Sequence, residues 1–342
     1  MMERCALLDC TLRDGGYITN WQFGRETICG LMQGLVDAGL DYVECGYLNH
    51  IPYQEGSAIF SSIEQIAPFL PKDRKKSMLL AMADVTQFST TDITPFTGES
   101  LDGIRVVFYK RQVEEALELC RAVVDNGYKL FVQPMVTIDY SIDEYAKLIG
   151  RINEINPYGV SIVDSFGYMG RSDVKCYFDL LDNMMRPDVI IGYHSHNNMQ
   201  LALPTALDVF QYDTKRNVIV DASLYGIGRG AGNLNTEIIA QFYNQSIAGK
   251  YDISLLLKLL GKYILPIREQ RTWGYSPYLL LTALYHSHPN FACYLLENHR
   301  ISVEDFEGYL KMIPEDMRTK CRRPYVEELY ERFIGQGDVD AE

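Results

Sequence analysis

Positive charge is what this sequence is short of. Lys and Arg number 32 against 45 Asp and Glu in 342 residues, a formal net charge of -13. Binding a phosphate backbone needs clustered cations, so no nucleic-acid partner is expected. The short runs Arg74-Lys75-Lys76 and Arg322-Arg323 read as solvated loops. Long apolar runs are also lacking: none reaches the roughly 18 residues of a membrane span. No basic stretch followed by an apolar one opens the chain, so no membrane partner or secretory signal is expected. The eight cysteines (Cys5, Cys10, Cys29, Cys45, Cys120, Cys176, Cys293 and Cys321) include no C-x-x-C pair. They read as thiols of a reducing compartment, and a cytoplasmic location is expected. Low-complexity tracts are missing as well, and 47% apolar with 23% charged residues fits a globular protein with a full core.

What the chain does contain is alternation. Apolar, β-rich runs occur at Ala6–Leu8, Tyr42–Cys45, Met78–Met82, Ile104–Phe108, Leu130–Met135, Gly159–Val163, Val189–Ile191 and Val218–Ala222. Between them lie segments of helical spacing, such as Arg25 to Gly39 (Ile28, Leu31, Leu35, Val36) and Val113 to Gly127 (Ala116, Leu117, Cys120, Val123, Val124). Several end on glycine just before the next strand. Eight strand-helix units in about 250 residues predict an α/β fold, a (β/α)8 TIM barrel, ahead of an open doubly wound sheet. After Tyr251 the alternation stops, and five helical segments follow: Leu255–Ile264, Pro277–Tyr285, Phe291–Asn298, Val303–Met312 and Pro324–Ile334. The expected division is a catalytic barrel over 1–250 and a mostly helical unit over 251–342. A Tyr- and Leu-rich face (Tyr278, Leu281, Leu284, Tyr285) is expected to pack on the barrel or on another subunit of a homo-oligomer.

Polar residues interrupt the apolar runs at the strands' C-terminal ends, where barrel enzymes build their sites. The first strand runs into Arg13-Asp14-Gly15-Gly16, a guanidinium and a carboxylate delivered on a backbone able to turn sharply. Val189-Ile190-Ile191-Gly192-Tyr193 runs into His194-Ser195-His196, and alternation along a strand points both imidazoles to one side. Two imidazoles and one carboxylate bind a divalent metal and leave positions open for water and substrate. Asp14 ahead of two glycines would equally suit a turn cap, and a lone His-x-His is commonly a pair of ordinary imidazoles. His286-Ser287-His288 repeats the pattern in a helical region, where residues two apart diverge by roughly 200°, and is not expected to bind metal there; placed beyond the helix end, near Pro289, it would allow a weak site.

Asp9-Cys10-Thr11-Leu12-Arg13-Asp14-Gly15-Gly16, Asp164-Ser165-Phe166-Gly167-Tyr168, His194-Ser195-His196-Asn197 and Gly228-Arg229-Gly230-Ala231-Gly232-Asn233 occur in this order. Together they resemble the metal-dependent lyase and synthase superfamily of barrel enzymes. It contains hydroxymethylglutaryl-CoA lyase, isopropylmalate and homocitrate synthases and 4-hydroxy-2-oxovalerate aldolase, and the resemblance is closest to the aldolase. It covers residues 5 to about 245 well and the C-terminal part loosely. The resemblance implies that Asp14, His194 and His196 hold Mn²⁺ or Mg²⁺, and that Asn233 is a further ligand or hydrogen-bonds one. It also implies that Arg13 stabilises an enolate oxygen and that Ser165 binds the substrate carboxylate, with Asp164 orienting its neighbours.

The implied reaction is that of a carbon-carbon lyase, an aldolase acting on a 2-keto acid and an aldehyde through a pyruvate enolate. Family aldolases pair with an aldehyde dehydrogenase, a partner the resemblance therefore allows here. The Claisen synthases of the superfamily continue the first motif differently after Arg-Asp-Gly, so Gly16-Tyr17 favours the aldolase branch. A barrel that keeps its metal without catalysis is the reading from another class. One departure bears on it: the aldolase pattern has a histidine three residues after the metal-binding Asp, where this chain has Tyr17. A tyrosine, near pKa 10, is a poor base at neutral pH unless a cation lowers it. Tyr17 or His50, the latter just beyond the second strand, is expected to move the proton, although His50 also suits an exposed loop. Tyr275 and Tyr278 are candidates for a tyrosine reaching over the substrate, and Glu44 for an acid behind the site. The Gly226–Asn233 loop partly satisfies a dinucleotide fingerprint but lacks its acidic partner and Rossmann setting.

Overall fold

The computed structural model describes residues 4–337. Its central element is a closed parallel barrel of eight strands: β1 (Cys5–Asp9), β2 (Tyr42–Leu48), β4 (Met78–Asp84), β5 (Gly103–Phe108), β6 (Lys129–Pro134), β7 (Gly159–Asp164), β8 (Ile190–Ser195) and β9 (Val218–Ala222). Each pairs with its sequence neighbours, and β1 pairs with both β9 and β2 to close the ring. A two-residue strand, β3 (Ile59–Phe60), adds to the end of β2. The strands are apolar almost throughout because a parallel barrel buries both faces of its sheet; β5, β7, β8 and β9 are buried along their whole length. The (β/α)8 barrel read from the sequence is the fold.

Two of the expected strand-helix units lack their α-helix. Between β2 and β4 the only helical segment is the 3-10 helix Glu64–Phe69, and between β4 and β5 it is the 3-10 turn Thr90–Asp92. The sequence accounts for both. Pro68 and Pro71 interrupt the first segment, while Ser89, Thr90, Thr91, Pro95 and Gly98 fill the second with residues that favour turns over helix interiors.

Inward-facing residues form layers with the two-residue period of a strand. At the bottom Leu8, Tyr42, Leu80, Phe131, Ile190 and Ile219 make a small apolar cluster. Two residues further along their strands come Glu44, Gln133 and Asp221, joined by Arg105 from β5, all buried. Beyond these, at the mouth, stand Met82, Val107, Val163, Ser165, His194 and His196. The barrel thus carries an apolar floor, a charged middle layer and a polar mouth.

The main apolar core extends past the barrel strands to Leu256, Leu259, Ile264 and Trp273. The helical run Ile253–Gln270, which supplies the first three, leaves regular α geometry at Leu260–Ile264, a π-helical turn. Pro266, two residues beyond it, has no N–H to give the preceding turn, which the wider turn accommodates. A second core of Leu279, Phe291, Leu295, Phe306, Tyr309, Leu310, Val326 and Leu329 holds the later helices together. Ala231 of the Gly226–Asn233 loop packs into it, so this helical unit grips the barrel mouth. Among the described residues no helix is long and apolar enough to cross a membrane.

Gly15 and Gly16 are needed for closeness and not for an unusual backbone angle: Gly15 has φ -61°, ordinary helical geometry. A Cβ on Gly16 would lie 2.1 Å from Trp21 Nε1, and that indole donates to the carbonyl of Arg13 at 2.9 Å. Gly16→Ala is expected to push Trp21 away and cost about 1–3 kcal/mol in urea unfolding, the range for overpacking a filled site. Unchanged stability would show that the turn tolerates the displacement.

Candidate metal centre and active site

The first motif is placed by a short helical turn, Thr11–Asp14, at the exit of β1. Asp9 anchors it, accepting from the Thr11 N–H at 2.9 Å and the Thr236 hydroxyl at 2.6 Å. The turn directs the fully buried Asp14 carboxylate inward, where Oδ1 accepts from Arg13 Nη1 at 2.5 Å and Oδ2 from Asn233 Nδ2 at 2.5 Å. A Cβ at position 228 would stand 2.3 Å from Asn233 Nδ2 and 2.5 Å from Asp14 Oδ2, so only glycine leaves room for this pair.

His194 and His196 reach the same point from β8 and the residue after it, their rings 5.2 Å apart and nearly perpendicular at 88°. Ligand atoms of Asp14, His194 and His196 all lie within 4.8 Å of one another. Burial lowers the His196 imidazole to about 3 against the pull of Asp14, so it is neutral at pH 7 with a lone pair available. Burial acts to raise the Asp14 carboxyl, but Arg13, His196, His194 and Arg229 hold it below the ordinary carboxylate range. Two buried atoms of the cluster have no hydrogen-bond partner, His196 Nδ1 and Asn233 Oδ1. An anionic carboxylate, two imidazoles and an orphaned amide oxygen form a donor set that a divalent cation would satisfy.

Behind the ligands runs a chain of buried charge. Arg13 Nε donates to Glu44 Oε2 at 2.8 Å, Glu44 Oε1 lies 3.0 Å from Arg105 Nη1, and Arg105 Nη2 pairs with Asp221. Asp221 Oδ2 in turn meets His194 Nδ1 at 3.1 Å. That contact fixes the ring's orientation and presents its other nitrogen to the cluster. Burial works to raise the Asp221 carboxyl, yet Arg105 and His194 keep it below its usual range.

The cavity above this layer is lined by Arg13, Asp14, Tyr17, Tyr47, Met82, Gln133, Ser165, His194, His196 and Arg229, among others. Ser165 Oγ accepts the Val136 N–H at 2.9 Å, which leaves its own proton to donate. Val136 has φ +50°, a conformation costly for a β-branched residue and typical of functional sites. Asp164 accepts from the amides of Tyr168 and Met169 at 3.0 and 3.2 Å and so shapes the turn after Ser165; burial raises its carboxyl to about 7. Tyr17 lies in the cavity wall, edge-on to Trp21 at 4.9 Å and beneath the Arg229 guanidinium at 3.9 Å.

Three candidates are not gathered here. His50 has 55% of its side chain exposed, 3.5 Å from Asp92, and does not line the cavity. The Tyr278 hydroxyl donates to Ile301 O at 2.8 Å and its ring packs on Phe306, which turns it into the helical unit instead of over the mouth. Tyr275 is 59% exposed. His286-Ser287-His288 lies past the end of helix Pro277–Leu284 and not within it. Its rings roof the second motif, His286 on Tyr168 at 4.7 Å and His288 on Phe166 at 4.6 Å. The one metal-competent group among the described residues remains Asp14, His194 and His196.

Arg105, Asp221 and Gln133 have no role in the sequence expectations, and Arg229 enters them only as part of a motif. The first two had a visible signal, a single charge inside an apolar run, but pairing them requires knowing which strands face one another across the closed barrel.

The HMGL-like family model matches residues 4–260. Oxaloacetate decarboxylase of Mycobacterium tuberculosis is 24% identical over 277 residues, 80% of each chain. 4-Hydroxy-2-oxovalerate aldolase 6 of Rhodococcus jostii is 23% identical over 266 residues, 76% of this chain and 73% of that one. The N-terminal domain of a candidate aldolase from Bacteroides vulgatus superposes with a TM-score of 0.70 at 24% identity, covering 86% of this chain and 97% of that one.

Arg105 is the cation shared by Glu44 and Asp221. Arg105→Met is expected to destabilise the fold by about 3–5 kcal/mol in denaturant unfolding, because the buried Asp221 loses its only arginine and Glu44 is left with Arg13 alone. A loss below about 1 kcal/mol, the scale of an exposed pair, would contradict the charged layer as described.

Proposed function

The chain belongs to the HMGL-like family, and on that premise we propose that it is a divalent-metal-dependent carbon-carbon lyase that cleaves or forms a 4-hydroxy-2-keto acid through a pyruvate enolate. The observation that carries this reading is one guanidinium: Arg13, clamped between Asp14 and Glu44, stands in the same cavity as the Asp14-His194-His196 cluster and Ser165. A divalent ion held by Asp14, His194 and His196, with Asn233 Oδ1 in reach of the cluster, would polarise the keto group and acidify the adjacent carbon.

The chain's own residues supply the rest. Arg13 has Nε committed to Glu44 and Nη1 to Asp14, which leaves Nη2 as a fixed donor for the developing enolate oxygen. Ser165, accepting from Val136, turns its O–H to the substrate carboxylate. Tyr17 is the candidate of the pair Tyr17 and His50 whose side chain lines the cavity, and the proton on the substrate hydroxyl is assigned to it. The names of the two relatives support lyase chemistry on 2-keto acids.

One observation favours a second reading, decarboxylation of a 2-keto dicarboxylate. The cavity lining holds no imidazole besides His194 and His196, and loss of carbon dioxide to give the same enolate requires no base at a hydroxyl.

Both readings share the enolate. Protein loaded with Mg²⁺ and incubated with pyruvate in deuterated buffer is expected to erase the methyl proton signal, and Asp14→Ala to preserve it. Arg13→Met should slow the exchange by about 10²–10³, the scale of losing one preorganised oxyanion donor. A wild-type protein that binds the ion yet leaves the methyl signal intact would exclude pyruvate as the nucleophile and indicate a barrel without this catalysis.

A further inference from the structure

The three most deeply buried arginines of the described residues are all neutralised. Arg13 meets Asp14 and Glu44, Arg105 meets Glu44 and Asp221, and Arg216 meets Asp182 together with several backbone carbonyls. Arg229 lines the candidate active site, its Nε is enclosed without a hydrogen-bond partner, and among the described residues it makes no ion pair. The guanidinium lies over the Tyr17 ring, its carbon 3.9 Å from the ring centre. An enclosed cation with no anion at ion-pair distance is costly, and a cation-π contact offsets only part of that cost.

The surroundings hold the guanidinium in place. Tyr17 is braced by Trp21, whose indole is tied to the Arg13 carbonyl. On either side of Arg229 the loop is pinned: the Ala231 N–H donates to Asn198 Oδ1 at 3.1 Å, and Gly230, with φ +63°, approaches Pro289 of the helical unit so closely that an added Cβ would lie 3.3 Å from it. A rigid, unpaired guanidinium on an aromatic platform in the wall of a cavity is built to receive an oxyanion.

We infer that Arg229 binds a second anionic group of the substrate, a carboxylate or phosphate on the fragment that leaves or joins the pyruvate unit. The enzyme therefore takes a dianionic 2-keto acid in preference to one with an uncharged alkyl end. The inference rests on the pyruvate-enolate reading of the same cavity, in which Arg13 and Ser165 already serve the keto-acid end.

Calorimetry on the Mg²⁺-loaded protein tests it without turnover. The ligands are 2-oxovalerate, with an alkyl end, 2-oxoglutarate, with a carboxylate at the same chain length, and 3-phosphonopyruvate. Wild type should bind one dianion about 10- to 100-fold more tightly than 2-oxovalerate, the scale of a hydrogen bond to a charged group. Whether 2-oxoglutarate or the phosphonate is the tighter distinguishes carboxylate from phosphate. In Arg229→Gln the ratio should fall to about one. No preference for either dianion in wild type would overturn the inference, and this arm needs no variant to fold. Equal weakening of 2-oxovalerate and the dianions in Arg229→Gln would also overturn it, by placing Arg229 at the keto acid's own carboxylate. Failure of the enolate reading would appear separately, as wild-type protein that does not exchange the pyruvate methyl protons.

Discussion

Pairing of charge inside the barrel is the constraint on which the rest of the molecule depends. Asp14, Arg13, Glu44, Arg105, Asp221 and His194 follow one another as a buried chain of contacts, and its two ends meet again at the Asp14-His194-His196 cluster. Charges this deep are tolerated only when paired and hydrogen-bonded, and removing any one strands its neighbours. Each arginine bridges two carboxylates, so the strands that carry them are tied across the barrel axis as well as along its wall. The site and the fold are consequently not separable: the residues that orient the candidate ligands also neutralise the barrel's middle layer.

The mouth is built outward from this layer. Trp21 holds the Arg13 carbonyl, Tyr17 leans on Trp21, and Arg229 lies on Tyr17. From the other side the helical unit closes in, with His286 and His288 on Tyr168 and Phe166 and with Ala231 drawn into its core. Both supports converge on the loop that contains Gly228, Arg229 and Asn233. The helical unit thereby contributes to the shape of the cavity without placing a residue over it.

How much of this could be read from the sequence depends on the range of the forces involved. Barrel strands are legible because burial on both faces makes them apolar runs, and the strand period alone puts His194 and His196 on one side. The two missing helices were legible in principle from Pro68, Pro71 and the Ser/Thr-rich segment before Gly98, but the regular rhythm of the other units masked them. Side-chain direction was not legible. Tyr278 turns toward Phe306 because the second core draws it there, and His50 sits on a loop whose course is set by Asp92 and Phe88. The partnership of Arg105 with Glu44 and Asp221 exists only once the barrel closes.

The charged layer, acting through Asp221, orients His194 for a divalent ion. The most direct measurement is the Mn²⁺ dissociation constant of the wild type and of Asp221→Asn, followed by the resonance of the free ion. One ion per chain is expected, with about 10- to 100-fold weaker binding in the variant, the scale of losing a partner that orients a metal-binding imidazole. Equal affinity in the two proteins would contradict it and detach the metal centre from the layer beneath.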